Sequence, residues 1–259
     1  MSVNIEKEIS FSKSEGITTV TLNRPPLNVL NIEFMRALDK VLQLEEVSAE
    51  ARVIALSAQG KAFCAGVDVA DHTSERMQEM LSVFHALINR IRKLPVPTVA
   101  LVHGAALGGG FELACACDFV LASGRAKFAV PEITLGVFPP VAMVDLPKAI
   151  GQRKAAELIF TGRTLSAAEA ERIGLVNAVY PPEEFDAQAA EFLKKFSKLS
   201  RSSLAQTKSA FQAANACLDP EEALAEMEER YLKSLMATSD AREGIAAFMD
   251  KREPVWSHS

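Results

Sequence analysis

The sequence predicts an α/β protein in which strands and helices alternate along the chain. Short apolar runs rich in β-branched residues recur, and segments with helical periodicity separate them. The predicted strands cover residues 17–22, 53–57, 98–102, 119–122 and 176–179, and the predicted helices cover 31–44, 74–93 and 151–160. Because no linker rich in Gly, Ser or Pro interrupts this part, residues 1–199 are interpreted as one folding unit.

After about residue 200 the strand-like runs disappear, so residues 200–259 are interpreted as a helical C-terminal region. One helix is predicted over 220–233. Another is predicted to begin with Asp240 as its N-cap acceptor and to end before Pro254. Its apolar face, formed by Ile245, Phe248 and Met249, is expected to pack on the core or on a partner subunit.

Composition and charge exclude several classes of protein. The 259 residues are 49% hydrophobic and 24% charged, which is typical of a soluble globular protein. Lys plus Arg number 28 against 33 Asp plus Glu, so the formal charge of −5 gives no attraction to nucleic acid or anionic lipid. No apolar run approaches the roughly 20 residues of a membrane span, and the N-terminal segment carries Glu6 and Glu8. We therefore expect a cytoplasmic protein without nucleic-acid or membrane partners.

The cysteines and histidines predict neither a metal site nor a redox cofactor. Their spacing fits no disulfide framework, no tetrahedral zinc site and no paired-histidine motif. They are Cys64, Cys115, Cys117, Cys217, His72, His85, His103 and His258.

A glycine-rich loop follows the predicted strand at 98–102 and leads into an apolar helix. It contains Gly104, Gly108, Gly109 and Gly110, and adjacent glycines are costly within a helix. They would let a ligand approach backbone N–H groups at the start of the helix, or would allow tight packing of strand against helix. No Gly-Lys-Ser/Thr ending is present, so the loop is not a phosphate loop.

Two glutamates lie in apolar surroundings after this loop. Glu112 falls in the first helical turn, where it is either a buried general base or a carboxylate at the rim that favours the helix dipole. Glu132 follows Pro131, 20 positions later. The strand at 119–122 could return the chain so that both carboxylates face one pocket, as an acid and base that add or remove water. The sequence leaves this convergence open.

A second loop, at residues 57–68, is also suited to close approach of a ligand because Ala65 and Gly66 are small. Two backbone N–H groups from separate loops can form an oxyanion hole, which polarises a thioester carbonyl and stabilises its enolate. Lys61 in this loop would suit a phosphate, or would be an ordinary solvated surface lysine.

Three ordered motifs resemble the crotonase superfamily, also called the enoyl-CoA hydratase/isomerase superfamily. They are KAFCAGVD at 61–68, GAALGGGFE at 104–112 and PEITLG at 131–136, and the resemblance extends nearly from end to end. It implies a spiral core of repeated ββα turns and a C-terminal helical region that builds trimers, commonly paired into hexamers. It also implies an acyl-CoA substrate and no separate cofactor.

The resemblance also implies roles for individual residues. The backbone N–H groups of Val67 and Gly109 would form the oxyanion hole, and Ala65 and Val67 would lie along the CoA. Glu112 would position and deprotonate the attacking water, whereas Glu132 would deliver a proton to carbon.

The nucleotide end of CoA would lie elsewhere on the surface. Lys61, together with Phe248 and Lys251 of the C-terminal helix, corresponds to positions that contact it, including contacts across a subunit boundary. Such a local basic patch would allow a net acidic chain to bind a polyanionic ligand.

Residues 138–147 (FPPVAMVDLP) depart from the glycine-rich segment of ordinary hydratases and predict a bulkier, stiffer loop along the acyl pocket. In this respect the chain resembles the cyclohexa-1,5-diene-1-carbonyl-CoA hydratases of anaerobic benzoyl-CoA breakdown. That likeness implies 1,4-addition of water to give 6-hydroxycyclohex-1-ene-1-carbonyl-CoA. Asp145 in this segment would contact the substrate or Glu112, or would be a structural cap.

Several other functions remain open at this point. The nearest is hydration of linear 2-enoyl-CoA, as in fatty-acid β-oxidation. Isomerase, hydrolase and decarboxylase activities are compatible with the same fold, although Glu112 argues against most of them. A non-catalytic binding protein, including an RNA-binding relative, is disfavoured by the acidic pI and by the two carboxylates.

Overall fold

The computed structural model of the chain describes residues 2–6, 8–216 and 220–259. Within them the strands are β1 (Ser2–Glu6), β2 (Ile9–Ser14), β3 (Ile17–Leu22), β4 (Val53–Ala58), β5 (Ala62–Cys64), β6 (Thr98–Val102), β7 (Ala105–Leu107), β8 (Phe119–Ser123), β9 (Lys127–Ala129), β10 (Leu165–Ser166) and β11 (Ala178–Tyr180). The helices are α1 (Ile32–Gln43), α2 (Glu45–Ser48), α3 (Met77–Arg92), α4 (Gly109–Cys115), α5 (Pro140–Ile150), α6 (Gln152–Thr161), α7 (Ala167–Arg172), α8 (Phe185–Ser197), α9 (Arg201–Ala216), α10 (Pro220–Arg230) and α11 (Ser239–Asp250). Single 3-10 turns at Val69–Asp71 and Pro131–Leu135, and a π-helical turn at Tyr231–Leu235, complete these elements.

The strands form two sheets, and from β4 to β9 the chain alternates between them. The large sheet has the order β1-β2-β3-β4-β6-β8-β11, and its strands from β3 onward are parallel. The small sheet has the order β10-β9-β7-β5, in which β5, β7 and β9 are parallel. The chain runs β4-β5-α3, then β6-β7-α4, then β8-β9-α5. This succession confirms the predicted spiral of repeated ββα turns.

The core lies between the two sheets and the helices around them. A main apolar cluster joins α1, α3 and α4 to the sheets. A smaller one packs α8 against the outer face of the large sheet. Strand β3 alternates buried and half-buried residues, whereas β4 in the sheet centre is buried at almost every position. This difference follows from their positions, because a central parallel strand is covered on both faces.

The predicted strands at 17–22 and 98–102 agree with β3 and β6 at both ends, and the strand predicted at 176–179 is displaced to Ala178–Tyr180. The Val176 N–H donates to the Ala170 carbonyl at 3.3 Å, which closes the turn after α7. Val176 is therefore buried as part of a turn and does not pair with the sheet.

The prediction that residues 138–147 form a loop is wrong for most of the segment, because α5 begins at Pro140. Pro140 is at the first helical turn, where its missing N–H would have no partner and its fixed φ already suits a helix. Pro147 lies inside the helix and removes one backbone donor there. The segment is stiff, as expected, but its stiffness is helical.

The C-terminal region is helical, and one of its predicted caps is wrong. Thr238, not Asp240, is the N-cap of α11, and its side chain accepts from the Ala241 N–H at 3.2 Å. Asp240 is buried in the first turn, where it accepts hydrogen bonds from Ser200 Oγ (2.5 Å) and from the Ser257 N–H (2.7 Å). It thus ties the C-terminal segment to the start of α9. The division at residue 200 stays a prediction.

The remaining sequence-based expectations concern cysteines and membranes. Cys64, Cys115 and Cys117 are free, and Cys217 lies outside the described residues. In the part of the chain that the structure describes, no helix combines the length and apolar character that crossing a bilayer requires.

Candidate active site

The candidate site lies at the carboxyl ends of three neighbouring strands of the small sheet. Val67 follows β5, Gly109 opens α4 after β7, and Glu132 lies in the 3-10 turn after β9. Because β7 lies between β5 and β9, these residues come side by side although three different turns of the spiral supply them. Carboxyl ends of parallel strands are where α/β sheets commonly bind ligands.

The backbone N–H groups of Val67 and Gly109 are close together. Among the described residues neither has a hydrogen-bond acceptor, whereas the flanking Ala65 and Asp68 N–H groups bond to Leu27 and Leu30. A Cβ built on Gly109 would lie 3.5 Å from the Val67 nitrogen, so the space between the two amides has no room for a side chain. Two free donors around such a gap can stabilise an oxyanion.

The three consecutive glycines have two different roles. A Cβ on Gly110 would lie 2.2 Å from the Cys64 carbonyl oxygen, so Gly110 allows α4 to pack directly on β5. Gly108 has a φ of +50°, and a Cβ there would lie 2.6 Å from Glu132 Oε1. Both explanations of the glycine run therefore apply. Gly110 allows tight packing of α4 on β5, and Gly108 and Gly109 leave the site free of side chains.

Glu112 is buried, with only 4% of its surface exposed. Its Oε1 accepts a hydrogen bond of 2.8 Å from the Ala142 N–H in the first turn of α5. Burial raises the pKa of Glu112 to about 7; the Ala142 N–H opposes this shift, and the charges of Glu132 and Asp145 add to it. A carboxyl group with a pKa near neutrality can act as a general base or acid. The interpretation of Glu112 as an exposed rim carboxylate is wrong.

Glu132 is less buried, but one of its oxygens is without a partner. Its Oε2 is inaccessible to solvent and has no hydrogen-bond partner among the described residues. Burial raises the pKa of Glu132 above its usual value, while its own backbone N–H and the charge of His72 oppose the shift. An unpaired buried carboxylate oxygen is costly, so a proton or a substrate hydrogen bond at Oε2 would be favourable.

Both carboxylates line one cavity of about 430 Å³, together with Val67 and Gly109. The convergence that the sequence left open is therefore observed. The rest of the wall is mainly apolar and is supplied by the segment after β5, by α3 and by the segment from Pro131 to the start of α5. Its larger side chains are Met77, Met80, Leu81, Phe84, Leu135, Val137 and Phe138.

Not every residue predicted for ligand binding reaches this cavity. Ala65 lines it beside Val67, but Lys61, Phe248 and Lys251 do not. Lys61 is an exposed residue just before β5, and Phe248 is 81% exposed on α11. Lys251 is the exposed C-cap of α11. A role of these three residues at the nucleotide end of CoA stays a prediction.

Asp145, left open between substrate and structure, forms an ion pair with Arg92. Asp145 Oδ2 lies 2.5 Å from Arg92 Nη2, which joins α5 to the end of α3. Asp145 does not line the cavity with the carboxylates, although its charge raises the pKa of Glu112. Asp145 therefore has a structural contact, but it lies within α5 and is not the cap that was the structural alternative.

Sequence reasoning missed two contributors to the site. The Ala142 N–H binds Glu112 because α5 begins at Pro140 and Ala142 lies in its first turn, a helix that the sequence did not predict. His72 lines the cavity together with Glu132, although it belongs to no metal-binding spacing and the sequence predicted no role for it. The sequence could have pointed to His72 through its position four residues after Asp68, which places it at the end of a 3-10 turn. No group of possible metal ligands occurs within the described residues.

The arrangement contains the parts needed to add water beside a carbonyl group. One end of the cavity has two unpaired N–H donors, and its walls carry two carboxyl groups with raised pKa values. Donors stabilise negative charge that develops on a carbonyl oxygen, while the carboxyl pair can take one proton and give another.

Comparisons with known proteins agree with this chemistry. The model of the family described as enoyl-CoA hydratase/isomerase matches residues 12–259. A probable enoyl-CoA hydratase of Rhizobium meliloti (strain 1021) is 42% identical over 245 residues, which cover 92% of this chain and 93% of that protein. A cyclohexa-1,5-dienecarbonyl-CoA hydratase of Thauera aromatica is 34% identical over 254 residues, which cover 97% and 96%. The crystal structure of an enoyl-CoA hydratase from Bacillus anthracis superposes with a TM-score of 0.91 at 32% identity, and the match covers 98% of this chain and all of that one.

Proposed function

Because the chain belongs to the enoyl-CoA hydratase/isomerase family, the crotonase superfamily, we propose that its cavity carries out the hydration of an enoyl-CoA thioester. The enzyme is a hydro-lyase of this superfamily. The observation that carries the assignment of residues is the convergence of Glu112, Glu132 and the free Val67 and Gly109 N–H groups on one cavity.

The proposed reaction begins with the thioester oxygen between the Val67 and Gly109 N–H groups. These donors draw electron density from the conjugated double bond, which makes the far carbon electrophilic. Glu112, as carboxylate, takes one proton from water while the water oxygen bonds to that carbon. Glu132, in its protonated form, then gives a proton to the carbon where the negative charge remains. The reaction is neither an oxidation nor a reduction, so we propose that it uses no redox cofactor.

The protonation states needed for this reaction are compatible with the electrostatics of the site. One carboxyl group must be ionised and the other protonated at the same time. Burial raises the pKa of Glu112 to about 7 and that of Glu132 above its usual value, and the charge of Glu132 further disfavours ionisation of Glu112. A pair of this kind holds a shared proton at near-neutral pH.

For the acyl group we propose a conjugated cyclic diene, cyclohexa-1,5-diene-1-carbonyl-CoA, hydrated by 1,4-addition. The relative from Thauera aromatica that carries this activity in its name supports the proposal. The cavity also supports it, because Pro139 and Pro140 begin a stiff wall beside Glu132 that a flat ring could contact. Hydration of linear 2-enoyl-CoA is the second candidate, since a more similar relative is named simply as a probable enoyl-CoA hydratase.

The experiment supplies the purified protein separately with crotonyl-CoA and with the cyclic dienoyl-CoA, and detects addition of water by chromatography with mass detection. Hydration of the diene with little action on crotonyl-CoA supports the cyclic substrate, and the opposite preference refutes it. Inactivity on both would refute the hydratase proposal and favour an isomerase or a non-catalytic protein.

Three variants test the assignment of residues. Glu112→Gln and Glu132→Gln should each lower kcat by about 100-fold or more, because each removes one proton-transfer group. Glu183 is exposed and has no ion pair among the described residues, so Glu183→Gln is the matched control and should retain full activity. Near-normal hydration by Glu132→Gln would refute its role as proton donor.

We also propose that the chain assembles as a homotrimer or as a dimer of trimers. Large apolar side chains are exposed on the C-terminal helices, including Phe211, Ile245, Phe248 and Met249. Such a surface is unusual for a monomer and is typical of subunit contacts. Sedimentation analysis of the wild type and of Phe248→Ser tests this, and a wild type that stays monomeric at micromolar concentration would refute it.

A further inference from the structure

His72 is a titratable residue of the cavity for which the reaction above has no role. It follows the 3-10 turn Val69–Asp71 and lines the same cavity as Glu132. Its side chain is partly exposed, so it lies between the solvent and the inner wall. Its charge acts on Glu132, whose pKa it lowers. His72 therefore shares a cavity with the carboxyl group that has to be protonated in every turnover.

Hydrogen bonding defines which nitrogen of His72 is available. Nδ1 lies 2.9 Å from the Asp68 carbonyl oxygen. A carbonyl oxygen only accepts, so Nδ1 carries the hydrogen, and Nε2 of the neutral ring has its lone pair free. Among the described residues Nε2 has no hydrogen-bond partner. A free imidazole nitrogen in a cavity wall can accept a proton from water and pass it on.

The other charged groups on the same segment are already engaged. The Asp71 carboxylate accepts the Ile32 N–H at 2.9 Å and pairs with Arg76 at 3.0 Å. The Asp68 carboxylate accepts the Ala70 N–H at 3.0 Å. These contacts fix the segment that carries both Val67 and His72. Glu132 and Glu112 are then the titratable partners that His72 shares the cavity with.

The proposed reaction leaves a proton imbalance between the two carboxyl groups. After each hydration Glu112 has gained a proton from water, and Glu132 has given one to carbon. The next turnover requires the reverse distribution. Glu132 must therefore gain a proton, and one of its two oxygens, Oε2, is inaccessible to solvent and has no hydrogen-bond partner among the described residues.

We propose that His72 relays this proton, from solvent through Nε2 to the Glu132 carboxylate, and so resets the acid of the reaction. Protonated His72 gives a proton to Glu132, and neutral His72 takes one from water, so protons balance over the cycle. His72 acts through Glu132 and does not itself touch the reacting carbons. This inference rests on the hydration proposed above.

The first test measures how fast a proton held by Glu132 exchanges with solvent. Wild-type enzyme in D2O labels its own product with deuterium at the carbon that Glu132 protonates. The purified product is then incubated in H2O with wild type, with His72→Gln or with His103→Gln. In the reverse reaction Glu132 removes the deuteron, and mass detection shows whether it is lost to solvent or returned to carbon.

The relay predicts that wild type loses the label readily, while His72→Gln returns it to carbon several times more often. His72→Gln should also lower kcat by at least about tenfold with little change in KM, a loss below that of removing a direct proton donor. His103 is the matched control, because its Nε2 also bonds to a backbone carbonyl (Gly60, 3.1 Å) and it does not line the cavity. His103→Gln should behave as wild type.

Chemical rescue keeps the proposal falsifiable if the glutamine variant is poorly folded. Added imidazole should restore kcat and loss of label in His72→Ala, with a dependence on pH that follows the titration of the added base. Unchanged kcat and label loss in His72→Gln would overturn the relay. A raised KM with normal label loss would overturn it too, because His72 would then contact the substrate. Wild type that hydrates neither thioester would refute the proposed function itself.

Discussion

Glu112 should destabilise the folded protein at alkaline pH, and this cost can be calculated from its environment. Its pKa rises from an ordinary value of 4.5 to about 7 because the carboxyl group is buried. The folded state therefore holds this proton more tightly than the unfolded chain does. Stability falls as pH rises from 4.5 to 7, and above pH 7 the full cost is present.

The perturbation that isolates this effect is Glu112→Gln. The amide oxygen can still accept the Ala142 N–H, which is 2.8 Å away, so the geometry is kept while the charge is lost. A shift of about 2.5 units at 1.36 kcal/mol per unit corresponds to about 3 kcal/mol. The unfolding free energy of the variant minus that of wild type should therefore be about 2.5 kcal/mol larger at about pH 8.5 than at about pH 5.

Urea unfolding followed by circular dichroism, at one protein concentration and at both pH values, measures the difference. Glu183→Gln controls for loss of an exposed carboxylate and should show no such pH dependence. Equal differences between Glu112→Gln and wild type at the two pH values, within about 0.5 kcal/mol, would refute the reasoning. Confirmation would mean that folding stability is lowered at the residue to which we assign the role of base.

Three further predictions follow from the site. The pH profile of kcat/KM should be bell-shaped, because Glu112 and Glu132 together must hold one proton. The alkaline limb of the profile should lie near pH 7, and initial rates measured across the pH range test this. Gly109→Ala should lower kcat/KM by about 10² to 10³ with an unchanged circular dichroism spectrum, because the Cβ would enter the space between the two N–H donors, 2.7 Å from Val67 Cγ2. Arg92→Gln should lower the unfolding free energy by about 1 kcal/mol or less, because its pair with Asp145 is partly exposed; a loss above about 3 kcal/mol would show that the pair holds α5 in place.

Local sequence patterns predicted the fold class well because they report burial directly. The strands at 17–22 and 98–102 are short β-branched runs, buried at alternate positions in the first and at nearly every position in the second, and the structure has them at the same residues. The repeated ββα order was available only from the resemblance of the motifs. No local pattern states that β5 pairs with β7, since this pairing joins residues far apart in sequence.

The candidate site was predictable in its residues but not in its geometry. Glu112 was recognisable as a carboxylate in an apolar helical turn, and the structure shows it buried. Residues 138–147 were interpreted as a loop because they replace the glycine-rich segment of ordinary hydratases, although proline is well tolerated in the first turn of a helix. That error concealed the Ala142 N–H, the group that holds Glu112 in position. His72 was missed because it shares a cavity with Glu132, 60 positions away in the sequence, only in the folded chain.

Separate turns of the spiral carry the residues of the site, so the enzyme can become active after synthesis only when these turns have assembled. Val67, Gly109 and Glu132 come together only when β5, β7 and β9 are paired, and Glu112 is oriented only when α5 has docked. A nascent chain that has not yet emerged as far as α5 would contain both loops of the proposed oxyanion hole but would lack the contact that positions Glu112. Recovery of activity during refolding therefore reports the docking of α5. Fluorescence or circular dichroism would register earlier turns of the spiral first, and a delay between those signals and activity would measure how long the final turn takes to dock.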